Sequence, residues 1–178
     1  GVSGKLTLTG TEFTSVANLY IRPNGLVELE DVTLQTQGIS NSGTFQNNGT
    51  ISGNFYNDLG GVLTGDGSID GLVILYAGSE IAPGNSPGTL TMGDTQWRRD
   101  ATFRFMINGA DGEAESDPGW NSMLSLGELT LYGTPTEPML VSLESLLPNN
   151  EAGDVFDFNP EKSYLWTFAT ATEGISGF

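Results

Sequence analysis

The densest acidic run, Asp111-Gly112-Glu113-Ala114-Glu115-Ser116-Asp117, sets four carboxylates at alternate positions. Calcium takes roughly six to eight oxygen ligands and accepts several from one loop. Asp111, Glu113, Glu115 and Asp117 are therefore the candidate metal ligands. Glu113 and Glu115 stand where shorter Asp or Asn ligands are usual, and no Glu follows at the twelfth position, so a solvated hairpin loop is the simpler reading. Trp97 and Trp120 are candidates for stacking on sugar rings, with core packing as the simpler alternative because both flank apolar strands, as does Trp166. Arg98-Arg99, beside Asp100, is the only adjacent basic pair. A polysaccharide lyase needs such a base together with acidic calcium ligands, and a glycosidase needs two carboxylates facing one cleft. The pair reads more simply as a charged turn.

The composition removes other chemistries. The chain has no His and no Cys. That excludes imidazole-assisted nucleophiles, His-ligated metals, thiolate chemistry and disulfides. No catalytic residue and no cofactor is expected, calcium being the one ion that the acidic loop admits. With 22 acidic and 6 basic side chains in 178 residues the net charge is -16, which repels nucleic acid and anionic membrane surfaces. Residues 1–100 carry four basic and ten acidic groups and residues 101–178 carry two and twelve, so the acidity concentrates in the second half. The longest apolar run, Leu72 to Ala77, is far short of the roughly 20 residues of a membrane helix, so no membrane insertion is expected. The absence of an initiator Met or a leader at Gly1 suggests a mature or excised segment, with any signal or anchor outside it.

The elements that must position these residues are strands. In residues 1–94 Gly and Asn interrupt the chain every few residues, leaving no 3.6-residue stripe long enough for a helix. Short strands read instead at Leu6-Thr7-Leu8, Asn18 to Ile21, Leu26 to Leu29 and Val32 to Leu34. Glu28 and Glu30 then fall on an outward face opposite Val27 and Leu29. Ile39, Phe45 and Ile51 are six apart, and Ser42-Gly43-Thr44-Phe45 is nearly copied by Asn48-Gly49-Thr50-Ile51. Such repetition predicts a parallel β-solenoid over this half, each coil stacking on the last and turning at Gly or Asn. An antiparallel sandwich with hairpins at Asn24-Gly25 and Asn48-Gly49 is the competing reading. The run Gly65-Asp66-Gly67-Ser68-Ile69-Asp70-Gly71 has the content of a calcium nonapeptide, but such sites need tandem copies.

From residue 95 the strands lengthen, as at Thr102–Ile107, Met123–Leu126, Leu129–Tyr132, Met139–Leu143 and Tyr164–Ala169, while Ser142–Leu147 also admits a helical turn. Residues 95–178 thus read as a C-terminal β module stacked directly on the solenoid of residues 1–94, as one continuous unit. Pro83-Gly84 and Pro87-Gly88 are paired turn formers around Asn85 and predict a fixed double corner.

The run Ile81-Ala82-Pro83-Gly84-Asn85-Ser86-Pro87-Gly88-Thr89-Leu90-Thr91 closely resembles the I-x-P-G-N-S-P-G-T-L-T motif. That motif marks autotransporter-passenger-like proteins and the large, repetitive bacterial secreted proteins with a C-terminal sorting signal of the PEP-CTERM type. Phe105–Gly109, Gly119–Leu124, Gly127–Leu131, Tyr164–Thr170 and Gly174–Phe178 are similar to the terminal module of those proteins. The resemblance covers most of residues 38–178. It departs at Asn121, where Asp is usual after the aromatic residue, and at Phe178, where family members run on for further strands. The resemblance implies an all-β, right-handed parallel β-helix that runs into more irregular strands. It also implies a non-catalytic extracellular or bacterial cell-surface role in adhesion, display or matrix. Open coil ends add self-assembly into a homo-oligomer or homopolymer through the solenoid ends, for which Lys5–Thr9 is a suitable strand. An extracellular glycan is the alternative partner, in a glycan-binding module or a small polysaccharide-active enzyme.

Overall fold

The computed structural model describes residues 1–14, 17–84 and 87–177. Asn85 of the double corner and Phe178 lie outside the described residues. The described chain is all-β, with nineteen strands in one curled sheet. They arrange as successive rungs. The first rung holds β1 (Lys5–Thr9), β2 (Glu12–Thr14) and β3 (Leu19–Ile21). The second and third are single long strands that bend around all three sides, β4 (Leu26–Asn41) and β5 (Thr44–Asn57). The fourth is β6 (Val62–Gly65), β7 (Ser68–Ile69) and β8 (Val73–Leu75), and the fifth is β9 (Glu80–Pro83), β10 (Thr89–Met92) and β11 (Thr95–Arg98). The sixth begins with β12 (Thr102–Ile107), detours through β13 (Glu113–Ala114) and β14 (Gly119–Trp120), and resumes as β15 (Ser122–Ser125) and β16 (Leu129–Tyr132). The seventh is β17 (Leu140–Ser145), β18 (Ala169–Ala171) and β19 (Ile175–Ser176).

Pairing between rungs is parallel along three ladders. The first runs Leu6, Val27, Phe45, Leu63, Ile81, Phe103, Val141. The second runs Phe13, Leu34, Ile51, Ile69, Met92, Ser125, Ala171. The third runs Leu19, Ile39, Phe55, Val73, Thr95, Leu129, Ile175. The sheet is mixed because β12 meets β14 antiparallel at Ile107 and Trp120. The six-residue spacing of Ile39, Phe45 and Ile51 is one side of this figure, and three sides make the 18-residue step from Val27 to Phe45 to Leu63 to Ile81. Asn24-Gly25 is the corner between the first and second rungs and Asn48-Gly49 a corner within the third, both between parallel strands, which replaces the sandwich reading.

The core is the set of inward columns. Phe45, Phe55, Leu63, Ile81 and Phe103 are fully buried, and Phe45 meets Phe55 edge to face at 5.2 Å. Burying each such side chain stabilises the fold by about 1.5–3 kcal/mol. The columns break the inside-apolar rule at Asn41, Asn47 and Asn57, which are buried where the backbone leaves its ladder. Asn41 Nδ2 donates to Asn57 Oδ1 at 2.9 Å and to the Val62 carbonyl at 3.0 Å, while its Oδ1 accepts from Gly43 N–H. These amides satisfy corner groups that no ladder reaches. At the same corner Gly25, Gly43 and Gly61 stack so closely that a Cβ at Gly61 would press into the Asn41 carbonyl oxygen.

Both halves share the ladders. The strands β10, β11 and β12 pair with rungs below and above them. Two sequence expectations change. Ser142–Leu147 is mostly strand rather than helical turn, within β17. Of the strand expected at Tyr164–Ala169 only Ala169 is strand, because Trp166 and Phe168 instead fold over the sixth rung against Phe105 and Phe103.

Candidate functional site

The acidic segment 111–117, which contains β13, runs from β12 to β14, and its carboxylates face different partners. Asp111 pairs with Lys162, and that bond holds the Lys162 ammonium above the usual lysine range. Asp117 accepts from Asn108 Nδ2 at 2.7 Å. Glu113 and Glu115 are exposed. Asp157, from a distant loop, accepts the N–H groups of Ala110 at 2.7 Å and Asp111 at 3.1 Å, which ties the loop down through backbone. Among the described residues no three carboxylates converge on a cation position. This arrangement holds the loop in place.

Pro83, Gly84, Pro87 and Gly88 lie between the end of β9 and the start of β10. Gly84 takes φ of 82° and donates to the Gly65 carbonyl at 2.7 Å, and a Cβ on it would lie 2.5 Å from the Gly88 nitrogen. Two glycines are needed because the loop closes backbone on backbone. Asn121 Nδ2 donates to the Pro83 carbonyl at 3.1 Å, and its Oδ1 accepts from Met106 N–H at 2.8 Å. An Asp at that position could not donate there.

Trp97 and Trp120 are both core residues. Trp97 is 4% exposed with its indole N–H on the Ala101 carbonyl, and Trp120 is 8% exposed with its N–H on the Thr167 carbonyl. Neither ring offers a face to a sugar, so the stacking expectation at Trp97 and Trp120 gives way to packing. The cause is register: Trp97 falls on the inward column between Leu75 and Leu131.

That same register builds a site the sequence reading missed. The residues following that inward column are Tyr76, Arg98 and Tyr132, outward neighbours on the third ladder, where Arg98 pairs directly with Tyr132. With Ala77 and Arg99 they line an open cleft of about 540 Å³, within the range of small-ligand sites. The Arg98 guanidinium lies 3.9 Å from the centroid of the Tyr132 ring and donates to Gln96 Oε1 at 2.5 Å. Its Nε is buried without a hydrogen-bond partner. Arg99 is neutralised by Glu137 at 2.5 Å, whereas among the described residues no carboxylate pairs with Arg98. Tyr76 and Tyr132 stay exposed at 39% and 40%. The signal was present in the sequence as the unequal steps from Leu75 to Trp97 to Leu131, but those steps become readable only once the ladder is known.

A second cleft, of about 430 Å³, follows the corner between the first two ladders and is lined by Asp31, Asn48, Thr50, Asp66, Ser68 and Thr91 among others. Thr33, Thr50, Ser68 and Thr91 form one outward hydroxyl column there. A third, also about 430 Å³ and mainly apolar, lies over the last rung between Leu143 and Ile107 on one side and Val155, Phe158 and Trp166 on the other.

No protein-family model matches the chain, and no curated protein matches it.

Proposed function

We propose that the chain is a non-catalytic structural module of a bacterial extracellular or cell-surface protein, a right-handed parallel β-helix whose ladders run on from copy to copy. Right-handed winding is the hand that parallel connections take in almost all proteins. The likeness of Ile81–Thr91 to the motif of secreted β-helix proteins supports the location.

One observation carries the assembly. The inward columns are sealed in the middle and cut at both ends: Leu34, Ile51, Phe45 and Phe55 are at most 1% exposed, but Phe13 on the first rung is 48% exposed, and Val141, Leu143 and Ile175 on the last are 51%, 66% and 42%. The strands β1, β2 and β3 each have a ladder partner on one side only, and so do β17, β18 and β19. Edge strands with free backbone groups and apolar side chains are templates for pairing. A second copy set in register would lay Leu6 and Leu8 over Val141 and Leu143, continuing the first ladder, and it would close the apolar cavity beside Leu143. The occupant proposed is another copy of this chain.

The test replaces Val141 and Leu143 with Lys in the full chain and measures mass by light scattering at about 0.5 M salt. The parent should form concentration-dependent oligomers and the double variant should remain monomeric with an unchanged melt. A monomeric parent, or oligomers that survive both substitutions, would overturn the proposal.

A further inference from the structure

The cleft between rungs four and six has no part in stacking. The geometry points to the Tyr76–Arg98–Tyr132 cleft as a binding site for a saccharide unit that carries a carboxylate. The first argument is charge. Among the described residues Lys5, Arg99, Arg104 and Lys162 pair with carboxylates while Arg22 and Arg98 do not, and of these two it is Arg98 that lines this cleft. Arg98 is instead held by a ring face and one amide oxygen, with Nε buried and unsatisfied. A planar guanidinium fork matches a carboxylate with two parallel bonds.

The second argument is shape. Two exposed tyrosines flank the guanidinium on adjoining rungs, and adjacent strands stand about 4.8 Å apart. Tyrosine supplies an apolar face for the C–H surface of a sugar ring and a hydroxyl for its polar rim. The cleft volume of about 540 Å³ admits a short oligosaccharide. The net charge of -16 disfavours a long polyanion, but the repulsion is screened beyond about 8 Å at physiological ionic strength. Glu137, the carboxylate paired to Arg99, is already neutralised. Short acidic oligomers should therefore bind better per unit than long ones.

The probes are a trimer of galacturonic acid and the same trimer as its methyl ester, which keeps ring shape and removes charge. Binding to the full chain is followed by calorimetry at about 0.15 M salt. The acid should bind saturably and the ester about tenfold more weakly, reflecting one lost charge-assisted pair. Arg98→Gln should bring the acid down to the affinity of the ester and leave the ester unchanged. Tyr76→Ala, at an exposed position, should weaken both severalfold and serves if Arg98→Gln fails to fold. Equal affinity for acid and ester, no binding of either, or an acid affinity indifferent to both substitutions would overturn the assignment. Because the readout needs only folded monomer, its outcome is independent of whether copies stack.

Discussion

Asn57 shows how much a single buried amide carries. Its Nδ2 donates to the carbonyls of Gly61 at 3.2 Å and Glu80 at 2.7 Å, and its Oδ1 accepts from Asn41. Asn57→Ala would leave those buried groups unpaired, and a chemical-denaturation curve should show a loss of about 2–4 kcal/mol. Asn57→Asp should cost at least as much, since a carboxylate cannot donate. Charge at the surface acts more gently. Glu28 is held below the usual glutamate range by hydrogen bonds from Lys5 and then Thr7, and Lys162 above the usual lysine range by Asp111. A lowered acid contributes stability that is present above its ordinary value of 4.5 and is lost as pH falls through the folded one. A raised base contributes stability that is present below its ordinary value of 10.5 and is lost as pH rises through the folded one. With no His in the chain, melting temperature should stay level between about pH 6 and 9. Lys5→Met should make the acid limb shallower in a pH series of melts. The buried asparagines were visible in the sequence only as corner formers. Their inward aim depends on which carbonyls the next rung leaves unpaired, and that is a property of the stack.

At the scale of elements, the corners decide what a strand is. Separate short strands read at Leu26–Leu29 and Val32–Leu34 merge into β4, because the chain bends with its ladder bonds kept, shifting register between Glu30 and Thr33 and again between Gln35 and Gly38. Glycine at the corner is what permits neighbouring rungs to touch there. Gly61→Ala would drive a methyl group into the Asn41 carbonyl, and Gly43→Ala would do the same to Gly25. Each should lower stability by about 2 kcal/mol or more, while Gly4→Ala, whose Cβ meets nothing within 4 Å, should be nearly neutral. A thermal melt of the three variants checks the ranking. The alternation of Phe103, Phe105 and Ile107 was legible because β12 keeps strand periodicity. The segment 155–168 was not, because its aromatics pack as a cover. Phe158, Tyr164 and Trp166 stack successively at 5.4 and 5.2 Å outside any ladder, and nothing local distinguishes such a run from a strand.

For the whole molecule, the central feature is a stack of seven rungs whose first and last strands are paired on one side only among the described residues. Its net charge of -16 opposes association, so oligomer size should rise with ionic strength and as pH approaches the isoelectric point near 4.1. Of the end strands, those at residues 6–8, 19–21 and 140–143 were legible, whereas β2 at Phe13 and β19 at Ile175 were not, being two or three residues long with no alternation of their own. The most direct measurement is electron microscopy of the purified full chain at about 0.5 M salt. Stacking in register predicts filaments one coil wide with an axial repeat of about 34 Å, seven rungs at about 4.8 Å, that vanish when Val141 and Leu143 become Lys. Dispersed single particles at every salt concentration, or filaments indifferent to those two substitutions, would contradict it.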